Sequence, residues 1–205
     1  MAVSKKIKWL ILIAAVLATF FVLDFNYFWA NLKFLTHPPV GQNRQSQTSP
    51  ISSAANNLQK FPANILQISS LGIEAPVIYI DQKTESAFQA ALINGVVHYP
   101  GTAMPGQAGN AYFFGHSSDF IWSKGHYKTV FAVLPKIKIG DTILITDPSG
   151  TPFIYTAVKT AIVSPNDVSV LQQNQDGQKL LTLQTSWPVG TALKRFIVVA
   201  EIKSP

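Results

Sequence analysis

The chain has 205 residues, with 47% apolar side chains, 13% charged side chains and no cysteine. That is enough for one domain with a real core, and it excludes a disordered or fibrous chain, disulfides, Cys-ligated zinc and thiol chemistry. The net charge of +6 does not indicate a nucleic-acid binder. Lys5, Lys6, Lys8, Lys33 and Arg44 face Asp24 alone in the first fifty residues, leaving eleven basic and nine acidic groups for everything after Pro50. Basicity confined to an N-terminus suits a membrane better than a phosphate backbone.

Residues 1–8 read as a basic cytoplasmic tail. From Trp9 to Leu23 the chain is apolar except for one Thr, and after Asp24 come Phe25, Tyr27, Phe28, Trp29 and Ala30. Together residues 9–30 reach the ~20 residues of a transmembrane helix, with Tyr27 and Trp29 suited to the interface. A cleaved signal peptide is the rival reading, but no small-x-small site directly follows the apolar run. Either way the remainder lies outside the cytoplasm; the anchor reading gives a single-pass protein with its N-terminus inside. Residues 31–60, rich in Gln, Ser, Asn and Pro from His37 onward, read as a flexible stalk.

Residues 61–205 form the folded domain. Ile65–Ser69 and Ile73–Ile80 read as strands, with Pro76 suggesting an edge or a bulge. Glu85–Leu92 reads as a short helix capped by Thr84, with Phe88, Ala91 and Leu92 on one face. Asn110–Phe114, Thr142–Thr146, Phe153–Lys159, Lys179–Thr185 and Arg195–Ile202 read as further strands, and Asp147-Pro148-Ser149-Gly150 as the turn of a hairpin. Short strands, close turns and few helices predict a mostly β barrel or sandwich.

Four histidines invite a metal reading: His37, His98, His116 and His126. No HxH or HExxH spacing occurs among them, so no metal is expected. His116 closes the strand-like run Gly109-Asn110-Ala111-Tyr112-Phe113-Phe114-Gly115-His116, a good place for a base. Ser186 closes Leu181-Thr182-Leu183-Gln184-Thr185-Ser186, and Arg195 opens the last strand. Read singly, each is an ordinary surface or turn residue.

Read together, these residues resemble the sortase family. Its signature strand TLxTC ends in a nucleophilic cysteine, an arginine follows about nine residues later, and the histidine lies upstream after a glycine. LTLQTSWPVGTALKRFIVVAE from Leu181 to Glu201 and GNAYFFGH ending at His116 are similar to those elements. Gly95–Thr102, Lys138–Asp141 and Val163–Asp167 also resemble the family. The resemblance runs from about Ile65 to Ile202. It implies a closed or nearly closed barrel of about eight strands with short helices, preceded by one N-terminal transmembrane helix.

The same resemblance implies the catalytic residues: Ser186 in the cysteine's place, His116 as acid and base, and Arg195 at the substrate carbonyl. Thr185 and Trp187, which flank the nucleophile, are expected to contact substrate, and Asp119 or Asp167 to orient the base. The implied partners are a sorting-signal peptide of the LPxTG kind and an amine acceptor, either a cell-wall precursor or a pilin lysine. The localisation implied is the outer face of a bacterial cell membrane. No cofactor is expected; the residues offer no support for the calcium that modulates the groove in some relatives. Ser117 adjoins His116 but should face the opposite side of the strand. Phe120, Trp122, Tyr127 and Trp187 suit core packing or a substrate groove.

A serine hydroxyl cannot be pre-ionised as a thiol can and needs a base at the moment of attack. Three accounts of Ser186 follow: a working serine nucleophile, a catalytically silent peptide binder, or an altered cysteine. A purely structural tethered β domain is a further reading, which leaves the three polar positions unexplained.

Overall fold

Alternating burial along each strand builds the molecule. The computed structural model describes residues 6–15, 28, 31–32, 35–36, 61–119, 125–173 and 177–202. Eight strands form one closed barrel: β1 (Ile65–Ile68), β2 (Ile73–Ile78), β3 (Val96–His98), β4 (Gly109–Phe114), β5 (Thr142–Thr146), β6 (Pro152–Val163), β7 (Lys179–Trp187) and β8 (Lys194–Glu201). Their order around the wall is β1-β2-β3-β4-β7-β8-β6-β5, and β5 closes onto β1. The β2–β3 and β4–β7 pairs are parallel and the others antiparallel.

Inward positions fill the barrel. Ala111 and Phe113 of β4, Leu181 and Leu183 of β7, and Phe196, Val198 and Ala200 of β8 meet Leu66, Ile68, Ile143, Ile145 and Tyr155 there. The strand period of two therefore sends the even-numbered residues of β4 and β7 and the odd-numbered ones of β8 to the outer wall. Against its outside packs the expected α-helix, α1 (Glu85–Leu92). The Thr84 hydroxyl accepts from the Ala87 N–H, and Ala91 and Leu92 are buried against Val97.

The predicted hairpin is present between β5 and β6. The Asp147 carboxylate accepts from the N–H groups of Ser149 and Thr151 and from the Ser149 hydroxyl, and Gly150 sits at φ +83°.

Four expectations change. Pro76 lies on neither an edge nor a bulge; β2 is paired on both sides. It faces Ile65 at a position flanked by the Val77 N–H to Asn64 carbonyl bond, and pairing with β3 starts only at Val77. Neither ladder needs its missing donor. The bulge falls instead in β6, between Ala157 and Lys159, and lets that strand run on to Val163 along β8. The short strand β3 has no counterpart in the sequence reading, and β7 continues through Ser186 to Trp187.

Residues 6–15 are helical. Among the described residues no helix is long and apolar enough to cross a membrane, and most of the expected anchor 9–30 and stalk 31–60 lies outside them.

Candidate active site

The parallel pairing of β4 with β7 runs as far as Phe114 beside Gln184, and His116 follows Phe114 by two residues as Ser186 follows Gln184. Two hydrogen bonds extend the pairing past the strand end: the Gly115 N–H donates to the Gln184 carbonyl at 3.1 Å, and the Thr185 hydroxyl donates to the Gly115 carbonyl at 2.9 Å. On the other side of β7, Ser186 is the antiparallel partner of Arg195. Residues from three separate stretches of sequence thus form one row in strand order, with His116 two residues past the end of β4, Ser186 on β7 and Arg195 on β8.

The row lies on the outer wall, and all three residues line one cleft of about 660 Å³. One side is aromatic. Phe88 of α1 packs on Tyr99 and edge-on against Phe114, and Tyr99 meets Tyr112. The opposite side is the turn between β6 and β7, with Asp167, Val168, Val170 and Leu171. On the floor the Tyr112 hydroxyl donates to the Gln184 side chain at 2.5 Å.

Burial pushes the His116 pKa below the usual histidine value, and the Asp119 carboxylate opposes that shift. The neutral imidazole therefore predominates near pH 7, the form a general base requires. Of the two expected orienting acids, both in the cleft, Asp119 is the one that acts on His116. The Asp167 carboxylate is committed to the backbone N–H and hydroxyl of Ser169, which holds it below the usual carboxylate range. Arg195 is anchored through Nη1, which donates to the carbonyls of Ala192 and Lys194 at 3.0 Å each. Among the described residues no hydrogen bond yet joins the His116 ring to Ser186. A resting site of this kind often tightens only around substrate.

Gly115 is the hinge of this arrangement. A Cβ there would stand 2.9 Å from the Phe131 ring and 3.0 Å from Val130. The chain therefore passes closely over that segment before presenting His116, whose carbonyl receives the Phe131 N–H. Ser118 then accepts from the Gly190 N–H, tying the segment after the histidine to the β7–β8 loop.

The two flanking residues behave differently from Ser186. Thr185 lines the cleft beside Ser186, but it is 2% exposed and its hydroxyl donates to the Gly115 carbonyl. Trp187 is not among the cleft residues; it packs on Phe196 against the core. Of the two, only Trp187 lies outside the cleft lining. Tyr127 also packs on the core and Ser117 is buried, whereas Phe120 and Trp122 lie outside the described residues. His98 is buried beneath Tyr79 and Phe113, with Nε2 at 3.0 Å from the Ala103 carbonyl and near the Thr102 hydroxyl; His126 is exposed, and His37 lies outside the described residues. The sequence reading did not find Phe88, Tyr99 and Leu171 as cleft residues. Helical and strand periodicity marks them only as core.

Barrel and cleft define a class of molecule: a closed eight-stranded β-barrel whose outer wall brings a hydroxyl, an imidazole and a guanidinium together in one groove. A Sortase domain profile matches residues 66–203, and the chain belongs to the sortase family. It is similar to Sortase D of Bacillus subtilis (strain 168), with 30% identity over 139 residues, 66% of this chain. The match covers 61% of that relative, so the chain spans less than two thirds of its length. Among solved structures it resembles a Clostridium perfringens Sortase D5 transpeptidase, with 28% identity and a TM-score of 0.55 over 68% of this chain and 78% of that one. Sortase C-1 from Actinomyces oris, at 23% identity and a TM-score of 0.57 over 69% and 73% of the two chains, shares the fold.

Proposed function

We propose that the protein is a membrane-anchored sortase-type transpeptidase that uses Ser186 as its nucleophile. The observation that carries this reading is that His116, just past the end of β4, and the cross-strand partners Ser186 and Arg195 line one cleft. In the proposed reaction neutral His116 takes the Ser186 proton as Oγ attacks the scissile carbonyl carbon of a sorting-signal peptide. The guanidinium of Arg195 stabilises the resulting oxyanion. His116 returns the proton to the departing amine, leaving an ester on Ser186. The incoming amine attacks that ester, His116 takes its proton and passes it to Ser186 Oγ, and a new peptide bond is released.

Charge and surface suit the two substrates. The aromatic side offers apolar area for the donor peptide. The carboxylates of Glu85, Asp119 and Asp167 outnumber Arg195 along the described lining and favour the approach of an ammonium group. Residues 1–8, the apolar segment 9–30 and the linker 31–60 supply the basic tail, anchor and stalk of this proposal. They hold the barrel at the outer membrane surface, near surface-protein or pilin donors and cell-wall or lysine acceptors.

Intact-mass spectrometry tests the reading. The chain is incubated with LPxTG-like peptides with and without an amine, beside Ser186→Ala and Ser186→Cys. An acyl adduct on the unaltered chain that is missing from Ser186→Ala supports a serine nucleophile.

A second reading, a silent peptide binder, is favoured by the unlinked Ser186 hydroxyl. It predicts an adduct only with Ser186→Cys, and peptide affinity that survives Ser186→Ala.

A further inference from the structure

Asn110 is a polar residue on the outer wall of the barrel, yet it is only 5% exposed. What covers it is the turn from Asp167 to Gln173, which crosses the outer faces of β4 and β7 on its way into β7. This strap forms one side of the active cleft. Its far side borders a second groove of about 630 Å³ on the same sheet, lined by Lys159, Leu180 and Val199. Asp167 and Val170 touch both spaces.

Among the described residues, the strap's backbone bonds are local, from the Asp167 N–H to the Ser164 carbonyl and from the Gln172 N–H to the Ser169 carbonyl. Its attachment to the barrel runs through two side-chain amides. Asn110 Nδ2 donates to the Val170 carbonyl at 3.0 Å, while its Oδ1 accepts from the Thr182 hydroxyl at 2.8 Å. Gln173 Oε1 accepts from the N–H groups of Ala103 and Asn110, each at 3.1 Å. Gln173 Nε2 donates to the carbonyls of Asn110 and Leu171 at 3.2 and 3.0 Å. Every donor and acceptor of this lock is directed, so the strap carbonyls have one low-energy position over the sheet. Gly109 makes room for it: a Cβ there would lie 2.8 Å from Gln173 Oε1.

We infer that Asn110 and Gln173 are positioning residues: an amide lock outside the catalytic row that fixes the Val168–Leu171 wall of the cleft and so sets its preference for the apolar side chain of the donor peptide. The inference rests on the proposed peptide substrate for its ligand and on the hydrogen bonds alone for its mechanics.

Both parts are tested on the full chain in detergent. Gln173 is exposed, so Gln173→Ala tests the lock without emptying the core. Gln173→Glu keeps the two acceptor bonds and loses both donor bonds, isolating the ties to the Asn110 and Leu171 carbonyls. Hydrogen exchange at the amides of residues 168–171 rises about tenfold in Gln173→Ala, the size expected for losing a small number of hydrogen bonds, while the β7 amides keep their protection. Fluorescence anisotropy then compares two labelled peptides differing by Leu or Ala at one position. The Leu-over-Ala preference falls about fivefold in Gln173→Ala, within the discrimination one apolar pocket supplies, and by less in Gln173→Glu. Unchanged strap exchange overturns the lock. Faster exchange with an unchanged preference overturns its role in selectivity. If the unaltered chain binds neither peptide, the substrate reading fails first and the selectivity role with it.

Discussion

A serine nucleophile activated by a half-buried, neutral histidine would have a pH profile that a thiolate enzyme does not share. Burial lowers the His116 pKa below 6.5 and Asp119 pulls it partly back. The base is therefore competent above the resulting pKa, and protonation removes it below. For the unaltered chain, log(kcat/KM) for adduct formation should stay level from about pH 7 to 8, then fall with unit slope, tenfold per pH unit, on the acid side. Asp119→Asn removes the opposing charge, so the acid limb moves to lower pH while the plateau, where the base is already neutral, changes little. His116→Ala loses the base and should cost about 10²–10⁴ in rate at pH 7.5. The assay is initial-rate acylation of the full chain by a fluorogenic sorting peptide across pH 5 to 8.5. A rate that rises as the pH falls from 7 to 5, or an acid limb that Asp119→Asn shifts upward, refutes the neutral-base assignment.

Other outcomes follow from the same geometry. Ser186→Cys, whose thiol ionises near pH 8.5, should raise the acylation rate and add an ionisation to the profile, read by the same assay. Arg195→Ala should lower kcat by about 10²–10³, the usual loss of one oxyanion donor, with little change in peptide affinity measured by anisotropy. Gly115→Ala forces a methyl onto Phe131 and Val130 and should cost about 1–3 kcal/mol by chemical denaturation, with a disproportionate loss of activity because His116 follows directly. Burial also lowers the His98 pKa, against the weaker opposing pull of the Ala103 carbonyl. The folded state then binds fewer protons than the unfolded chain, so stability is full above about pH 6.5 and declines as the pH falls toward the folded pKa. Thermal unfolding should show that decline, with a shallower slope in His98→Gln.

Much of the barrel was legible because its strands obey period two and its turns carry Pro, Gly and Asp. The helix was legible from Thr84 and its apolar face. What stayed hidden depends on pairings remote in sequence. Nothing local to Val96–His98 shows that three residues suffice for a strand, since they are held by β2 on one side and β4 on the other. Pro76 reads as an edge residue until the strands either side of it are known. The strap runs into a Gln-rich stretch with no local signal of a fixed position, and only folding brings Gln173 to its four backbone partners.

The neighbours of Ser186 on β7 have different surroundings. Thr185, Ser186 and Trp187 are consecutive, and sequence proximity makes all three candidates for substrate contact. In the barrel, Thr185 stays in the cleft lining with its hydroxyl committed to Gly115, while Trp187 packs on the core. Thr185 braces the strand end that carries His116, and Trp187 packs on Phe196 beneath the strand that carries Arg195. They support the row from below while residues remote in sequence, Phe88 and Leu171 among them, shape the space above it. Substrate preference should therefore respond to changes at Phe88 or in the strap. Changes at Trp187 should first appear as lost stability, with core truncations of this size costing about 3–5 kcal/mol. A Trp187→Ala chain that keeps its unfolding midpoint but alters peptide preference would reverse that assignment.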